Sequence, residues 1–313
     1  MWEGREHKFG AGLADAARLA RAELELLRRP RRDFDALVVG YPGHLDLPAA
    51  KRAAHGRPVV FNPLVSLADT LVLDRGRFRA GSIPARVLGA VDRAAFRAAD
   101  LVVADTAAHA ALFDRLGARR VEVCFVGAEE RVFRPDWQML EPFTALFVGK
   151  LIPLHGIATV REAARLAPEV QFRVIGSGQL EHVLAQRPPN VDWVPWVEYS
   201  RLPEQLWGCG CALGIFGTSE KALRVIPNKV FQALACGAPV VTADTPAIRE
   251  LGEDGPLLVP RDDAPALADA VRELARDASL RAGVAARGRA TYEARASEAI
   301  LGARWRALIE ELL

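Results

Sequence analysis

The sequence predicts an α/β protein built of two doubly wound domains with parallel sheets. Apolar runs of strand length alternate with helical stretches almost from end to end, the pattern of parallel strands joined through helices on both faces. Between Phe133 and Pro142 the pattern stops: the segment has no period and two prolines, and a fresh strand begins directly after it. The 313 residues are enough for two separate cores.

In the first half, strands are expected at Ala36–Val39, Pro58–Phe61, Leu101–Ala104 and Val121–Phe125, with helices at Gly12–Arg28, Pro84–Ala98 and Ala107–Leu116. In the second half, strands are expected at Ala145–Val148, Gln171–Ile175, Val191–Trp193, Cys211–Phe216, Pro239–Thr242 and Pro256–Val259. Helices Gly156–Ala167, Pro227–Ala235, Ala264–Arg276 and Ser297–Leu312 separate or follow them. The break divides a first domain, 1–142, from a second, 143–313, whose last helix is expected to cross back to the first. The first domain offers only four strands and opens on W-E-G-R-E-H-K-F-G instead of an apolar strand. We therefore expect it to lack an opening strand–helix–strand piece, to be incomplete on that side, and to self-associate through the edge left open.

Composition narrows the function classes. Half of the residues are hydrophobic and the formal net charge is +2, which argues against a nucleic-acid binder. Four cysteines, Cys124, Cys209, Cys211 and Cys236, have no His or Cys cluster beside them, so neither a metal site nor a disulfide framework is expected. Reduced buried thiols fit the cytoplasm. No signal peptide and no apolar run of about 18 residues is present. The basic stretch Gly12–Arg32 raises a peripheral contact with the inner membrane face, with a solvated helix as the simpler reading.

The densest segment runs from Ser219 to Ala243: a loop, a helix opened at Pro227, a stop at Gly237 and a buried strand. Lys221, Arg224 and Lys229 crowd the helix opening, where free N–H groups and the helix dipole already favour an anion; a solvated basic surface is the plainer alternative. Earlier, in T-A-L-F-V-G-K-L-I-P-L-H-G-I, a strand ends at Gly149 and Lys150 follows at its carboxyl end, where open α/β sheets bind ligands. F-R-V-I-G-S-G-Q-L-E places Gly176 and Gly178 after a strand, but Glu181 stands where a third glycine would be, so a dinucleotide site is rejected. Trp196 and Val197, just beyond another strand, are candidates to frame a base.

In this order and spacing, the four segments resemble the C-terminal domain of glycosyltransferase family 4, the group 1 transferases of GT-B fold. The most specific stretch is A-L-A-C-G-A-P-V-V, and the resemblance covers 144–313; A-D-L-V-V-A-D-T and V-G-A-E-E-R-V-F-R-P extend it loosely into the first half. It implies two Rossmann-like domains facing across a cleft. It also implies retaining, metal-independent transfer of a sugar from a nucleotide sugar, such as a UDP- or GDP-sugar, to the hydroxyl of a glycan, lipid or small molecule, with no further cofactor. On the donor side it points to Gly149, Lys150, His155, Gly176, Gly178, Trp196, Val197, Asn228, Lys229 and Gln232, with Lys150, Arg224 and Lys229 in the catalytic set; His44, placed only by its position after a first-domain strand, completes that set.

The family commonly has two glutamates eight positions apart here, and alignment on A-L-A-C-G puts Arg224 at the first and Gln232 at the second. An amide still offers an acceptor and donors to ribose hydroxyls, whereas a guanidinium only donates and is expected on phosphate. His155 stands where many relatives have lysine, making that contact weaker or pH-dependent. On the acceptor side, His44, Asn62 and Asp105 follow strands and are the candidates, each with a capping or loop role as the alternative. A sugar-nucleotide epimerase and a non-catalytic or truncated nucleotide-sugar binding protein remain as competing functions.

Overall fold

The computed structural model describes residues 21, 24, 25, 33–252 and 254–313. The helix expected at Gly12–Arg28, and with it the expected membrane contact of Gly12–Arg32, lies outside the described residues except at those three positions. The rest forms two fully parallel sheets.

The first sheet has four strands in sequential order: β1 (Leu37–Val39), β2 (Val59–Phe61), β3 (Leu101–Ala104) and β4 (Val121–Val123). Each step to the next strand moves the same way, and right-handed crossovers then place all connecting helices on one face. Those helices are α1 (Leu47–Ala54), α2 (Ile83–Ala98) and α3 (Ala107–Arg115). Val59, Phe61, Val102 and Ala104 meet them through Ala50, Phe96 and Phe113. The alternate residues Val60, Leu101 and Val103 point to the other face. There the chain's last helix, Glu298–Glu310, closes the sheet with Leu308, Leu301 and Trp305, and Arg304 donates to Glu122 at 2.7 Å. The C-terminus is thus built into the first domain's core.

The second sheet has six strands in the order β10-β9-β8-β5-β6-β7, namely β5 (Thr144–Val148), β6 (Gln171–Ile175), β7 (Val191–Val194), β8 (Cys211–Leu213), β9 (Val240–Ala243) and β10 (Leu257–Val259). It carries α4 (Ile157–Leu166), α5 (Leu202–Gly208), α6 (Asn228–Cys236), α7 (Pro246–Arg249), α8 (Ala264–Arg276) and α9 (Ala278–Arg295), and the last helix, α10 (Glu298–Glu310), is the one that crosses back to the first sheet. The strand order reverses between β5 and β8, which makes the carboxyl ends of that pair the place for a ligand. Four helices, α1, α5, the one-turn α7 and the 18-residue α9, were not anticipated. α9 has an irregular apolar pattern because it is wedged between α6, α8 and α10 instead of lying on a sheet. The four cysteines are free and buried.

Candidate active site

A cleft of about 420 Å³ opens at the carboxyl ends of both sheets, lined by Gly149, His155, Lys221, Asn228, Lys229 and Gln232 from the second domain and by Tyr41, Leu64, Val65 and Asp105 from the first. Gly149 lines it, whereas Gly176 and Gly178 lie outside the lining and pack against the loop that carries Gly149. At Gly176 a Cβ would sit 1.9 Å from the Gly149 carbonyl oxygen, and at Gly178 one would sit 2.8 Å from that of Leu151. The two loops after β5 and β6 therefore touch backbone to backbone. The Gly178 N–H donates to the Glu181 carboxylate at 2.7 Å, which closes that turn.

α6 starts at Asn228 with Pro227 as its N-cap, and its first N–H groups face the cleft. Behind them lies Lys229. Its Nζ is shielded from solvent and has no hydrogen-bond partner; it sits 3.5 Å above the Phe147 ring centroid and close to Gly149. Burial holds its pKa well below the ordinary lysine value. Beside it, the His155 Nδ1–H donates to the Lys150 carbonyl at 2.5 Å, which leaves Nε2 as the neutral ring's acceptor. Burial, then the Lys229 charge, lowers this imidazole well below 6.5. Gln232, one turn further along α6, shares a hydrogen bond with Tyr199, whose hydroxyl also reaches Glu129 at 3.4 Å.

The other two cations are answered from the first domain, by a π-helical turn at Asp69–Asp74. Arg224 donates to Asp69 at 2.6 Å, Lys221 to Thr70 at 2.8 Å and Ser219 to Asp74 at 3.0 Å. Burial lowers the Lys221 pKa against the pull of Asp74 and Asp69. Next to this network the Thr106 hydroxyl donates to the Arg224 carbonyl, and Glu250 accepts from the Ala107 and Ala108 N–H groups at the start of α3. These contacts hold the two cleft walls together.

Several expected positions are corrected by this geometry. Arg224 is not directed at a phosphate, because Asp69 takes its guanidinium. His44 is buried in the first domain's core, edge-on to Phe61 and Phe96, with Nε2 3.4 Å from Asp92; it belongs to neither the acceptor side nor the catalytic set. Asn62 spends its amide on the Val103 carbonyl at 3.0 Å, tying β2 to β3. Lys150 is exposed and its side chain is not part of the cleft lining. Trp196, 71% exposed, and Val197, packed on the cluster behind α6, also lie outside the lining. Asp105 does face the cleft, with the His109 Nδ1–H donating to its carboxylate at 2.5 Å. Tyr41 and the Asp69–Asp74 turn carried no sequence signal, and Lys221 was visible only as one of three crowded cations.

Residues 142–277 match the family described as glycosyl transferases group 1. No curated protein sequence matches the chain. Among solved structures, it is similar to sucrose-phosphate synthase from Thermosynechococcus elongatus, with TM-score 0.72 and 16% identity over 95% of this chain and 76% of that one. It is also similar to HepE from Anabaena in complex with UDP-glucose, with TM-score 0.70 and 16% identity over 94% and 82%. TarM gives TM-score 0.67 and 13% identity over 92% of this chain and 57% of its own. The fold is that of the GT-B glycosyltransferases, and the group 1 match falls within the second domain.

Proposed function

We propose that this glycosyltransferase moves a sugar from a nucleoside-diphosphate sugar to an acceptor hydroxyl with retention of configuration and without a metal ion. The observation that carries the reading is Lys229: a shielded ammonium with no partner, beside the first N–H groups of α6. Such a charge is costly to bury and is explained by an anion that arrives with the substrate. The diphosphate of the donor fits, and UDP-glucose bound to HepE makes a uridine nucleotide the first donor to test. Lys221 also lines the cleft, but Thr70 and the Asp69 and Asp74 carboxylates already engage it, so Lys229 takes the role first expected of Lys150.

In this reading the bond from the anomeric carbon to the phosphate oxygen breaks as the bond to the acceptor oxygen forms on the same face. The departing phosphate takes the acceptor's proton, so no side-chain nucleophile is used. Lys229 and the α6 N-terminus stabilise the charge that builds on the phosphate. Gln232 holds the ribose hydroxyls and Asp105 orients the acceptor hydroxyl. The free, buried thiols suit a cytoplasmic enzyme.

Calorimetric titration with UDP, UMP, uridine, 2′-deoxy-UDP and GDP tests the donor side. Affinity should fall steeply from UDP to UMP to uridine, and 2′-deoxy-UDP should bind less well than UDP. Equal affinities for UDP and uridine would overturn the phosphate assignment. Nucleoside diphosphate released only when acceptor is present separates transfer from epimerisation or simple binding, and the anomeric configuration of the product tests retention.

A further inference from the structure

The inner and outer faces of α2 are made of different chemistry. Inward, Asp92 accepts from the Ser66 hydroxyl at 2.6 Å and from the Leu67 and Ala68 N–H groups at 2.8 and 2.9 Å, and Phe96 stacks on Phe113. Outward, positions 83, 86, 87, 90, 93, 94 and 97 recur at helical spacing, and all are exposed. Ile83 is 78% and Val87 54% exposed, and Leu73, just before the loop that leads into the helix, is 60% exposed. Arg86, Arg93 and Arg97 share that face.

Charge is concentrated here. Between Arg75 and Ala99 lie six of the chain's 41 basic residues and one of its 39 acidic ones, Asp92, which is buried. The segment holds a charge of +5 in a chain whose net charge is +2. At its borders Asp74 is buried and pairs with Arg75 at 3.4 Å, and Asp100 is taken by Lys51 at 2.8 Å. Elsewhere exposed arginines are commonly paired, as in Arg165–Glu162 and Arg249–Asp244. Arg79, Arg86, Arg93 and Arg97 have no acidic partner among the described residues.

We propose that the outer face of α2, with the loop before it, docks on an anionic lipid bilayer. Exposed aliphatic side chains enter the boundary between headgroups and acyl chains, while neighbouring cations bind lipid phosphates. Guanidinium groups do so bidentately. A second copy is a poor fit, because a two-fold contact would set these arginines against each other with no exposed acid on the face. Nucleic acid would leave Ile83, Val87 and Leu73 without a partner. No helix among the described residues is long and apolar enough to cross a membrane, so the contact is with the surface. Through Asp69–Asp74 the same segment reaches the cleft, and docking would hold the first domain's wall near the bilayer; only this corollary rests on the transferase reading.

Co-sedimentation of the full chain tests the proposal, using vesicles of phosphatidylcholine alone and of phosphatidylcholine with about one third phosphatidylglycerol. The protein should pellet with the anionic vesicles, release at high salt, and ignore the neutral ones. Arg86→Gln/Arg93→Gln/Arg97→Gln should weaken binding about a hundredfold, at about fivefold per arginine. Ile83→Ser/Val87→Ser should weaken it while leaving the salt dependence in place. UDP binding and melting temperature, unchanged in both variants, show that the fold is intact. No binding by the wild type, equal binding to neutral vesicles, or an undiminished triple variant would each overturn the proposal. So would wild-type retention that duplex DNA competes away, or a concentration-dependent dimer that the serine variant abolishes.

Discussion

Lys229→Met should make the protein more stable and a worse binder at once. The wild-type ammonium is out of solvent, with no hydrogen bond and only the Phe147 face 3.5 Å away. Removing an ion from water without a partner costs several kcal/mol, and the ring returns up to about 2 kcal/mol. Methionine has similar length, needs no solvation and packs well on an aromatic ring. The net gain should therefore be about 1–3 kcal/mol, or a few degrees in melting temperature. Because the folded pKa lies below the unfolded 10.5, the wild type's penalty is fully present below the folded value. It is relieved as pH rises toward 10.5, so the gap between variant and wild type should narrow at alkaline pH. Binding moves the other way. Losing one charged partner of a diphosphate should cost about 2–4 kcal/mol, which is thirty- to a thousandfold in Kd for UDP, while uridine affinity stays level. Urea titrations over pH and calorimetry with UDP provide the two readings. A destabilised variant, or one binding UDP as tightly as the wild type, would refute the argument that Lys229 is kept for an anion.

Gly176→Ala should be severely destabilising, by roughly 3 kcal/mol or more, because backbone meets backbone at 1.9 Å and φ is +147°. Gly302→Ala, in α10 with open space around it, should instead add about 0.5–1 kcal/mol; thermal melts compare the two. His155→Gln should reduce the loss of stability on the acid side: the folded imidazole is held below 6.5, so the wild type loses stability as pH falls through 6.5 toward that lowered value. His44, lowered mainly by burial, keeps part of the slope, and urea midpoints at about pH 7.5 and about pH 5.5 measure the difference. Asp69→Asn and Arg224→Met should each cost about 3–5 kcal/mol, since each strands a buried charge. The double variant should cost clearly less than the sum, and additive melting shifts would show that the pair is not coupled.

Much of the fold was legible because strands and helix starts follow local rules. All ten strands lie within or overlap their expected spans, since buried parallel strands are continuous apolar runs. Lys229 stood out among the cations at the opening of a helix and Gln232 through the resemblance around A-L-A-C-G, and both line the cleft. What failed was any judgement about a residue's distant partner. His44 and His155 both follow a strand at a short distance, yet Phe61, Phe96 and Asp92 enclose the first, while the second hangs from the Lys150 carbonyl at the cleft. No local pattern distinguishes them. Arg224 failed for the same reason: its partner Asp69 is 155 positions away.

The cations of the second domain show how the two walls divide the work. Arg224 and Lys221 are answered by Asp69, Thr70 and Asp74 from the first domain. Thr106 and Glu250 fix the walls alongside them. Those charges stabilise the joined state and are largely spent on it, so they contribute little to an arriving anion. Lys229 receives nothing from the other wall, although its Nζ is shielded from solvent. A protein gains no stability by keeping such a charge unmatched. The site is therefore read best by subtraction: once each cation is matched with the acid that neutralises it, the one left over marks where the substrate's negative charge belongs.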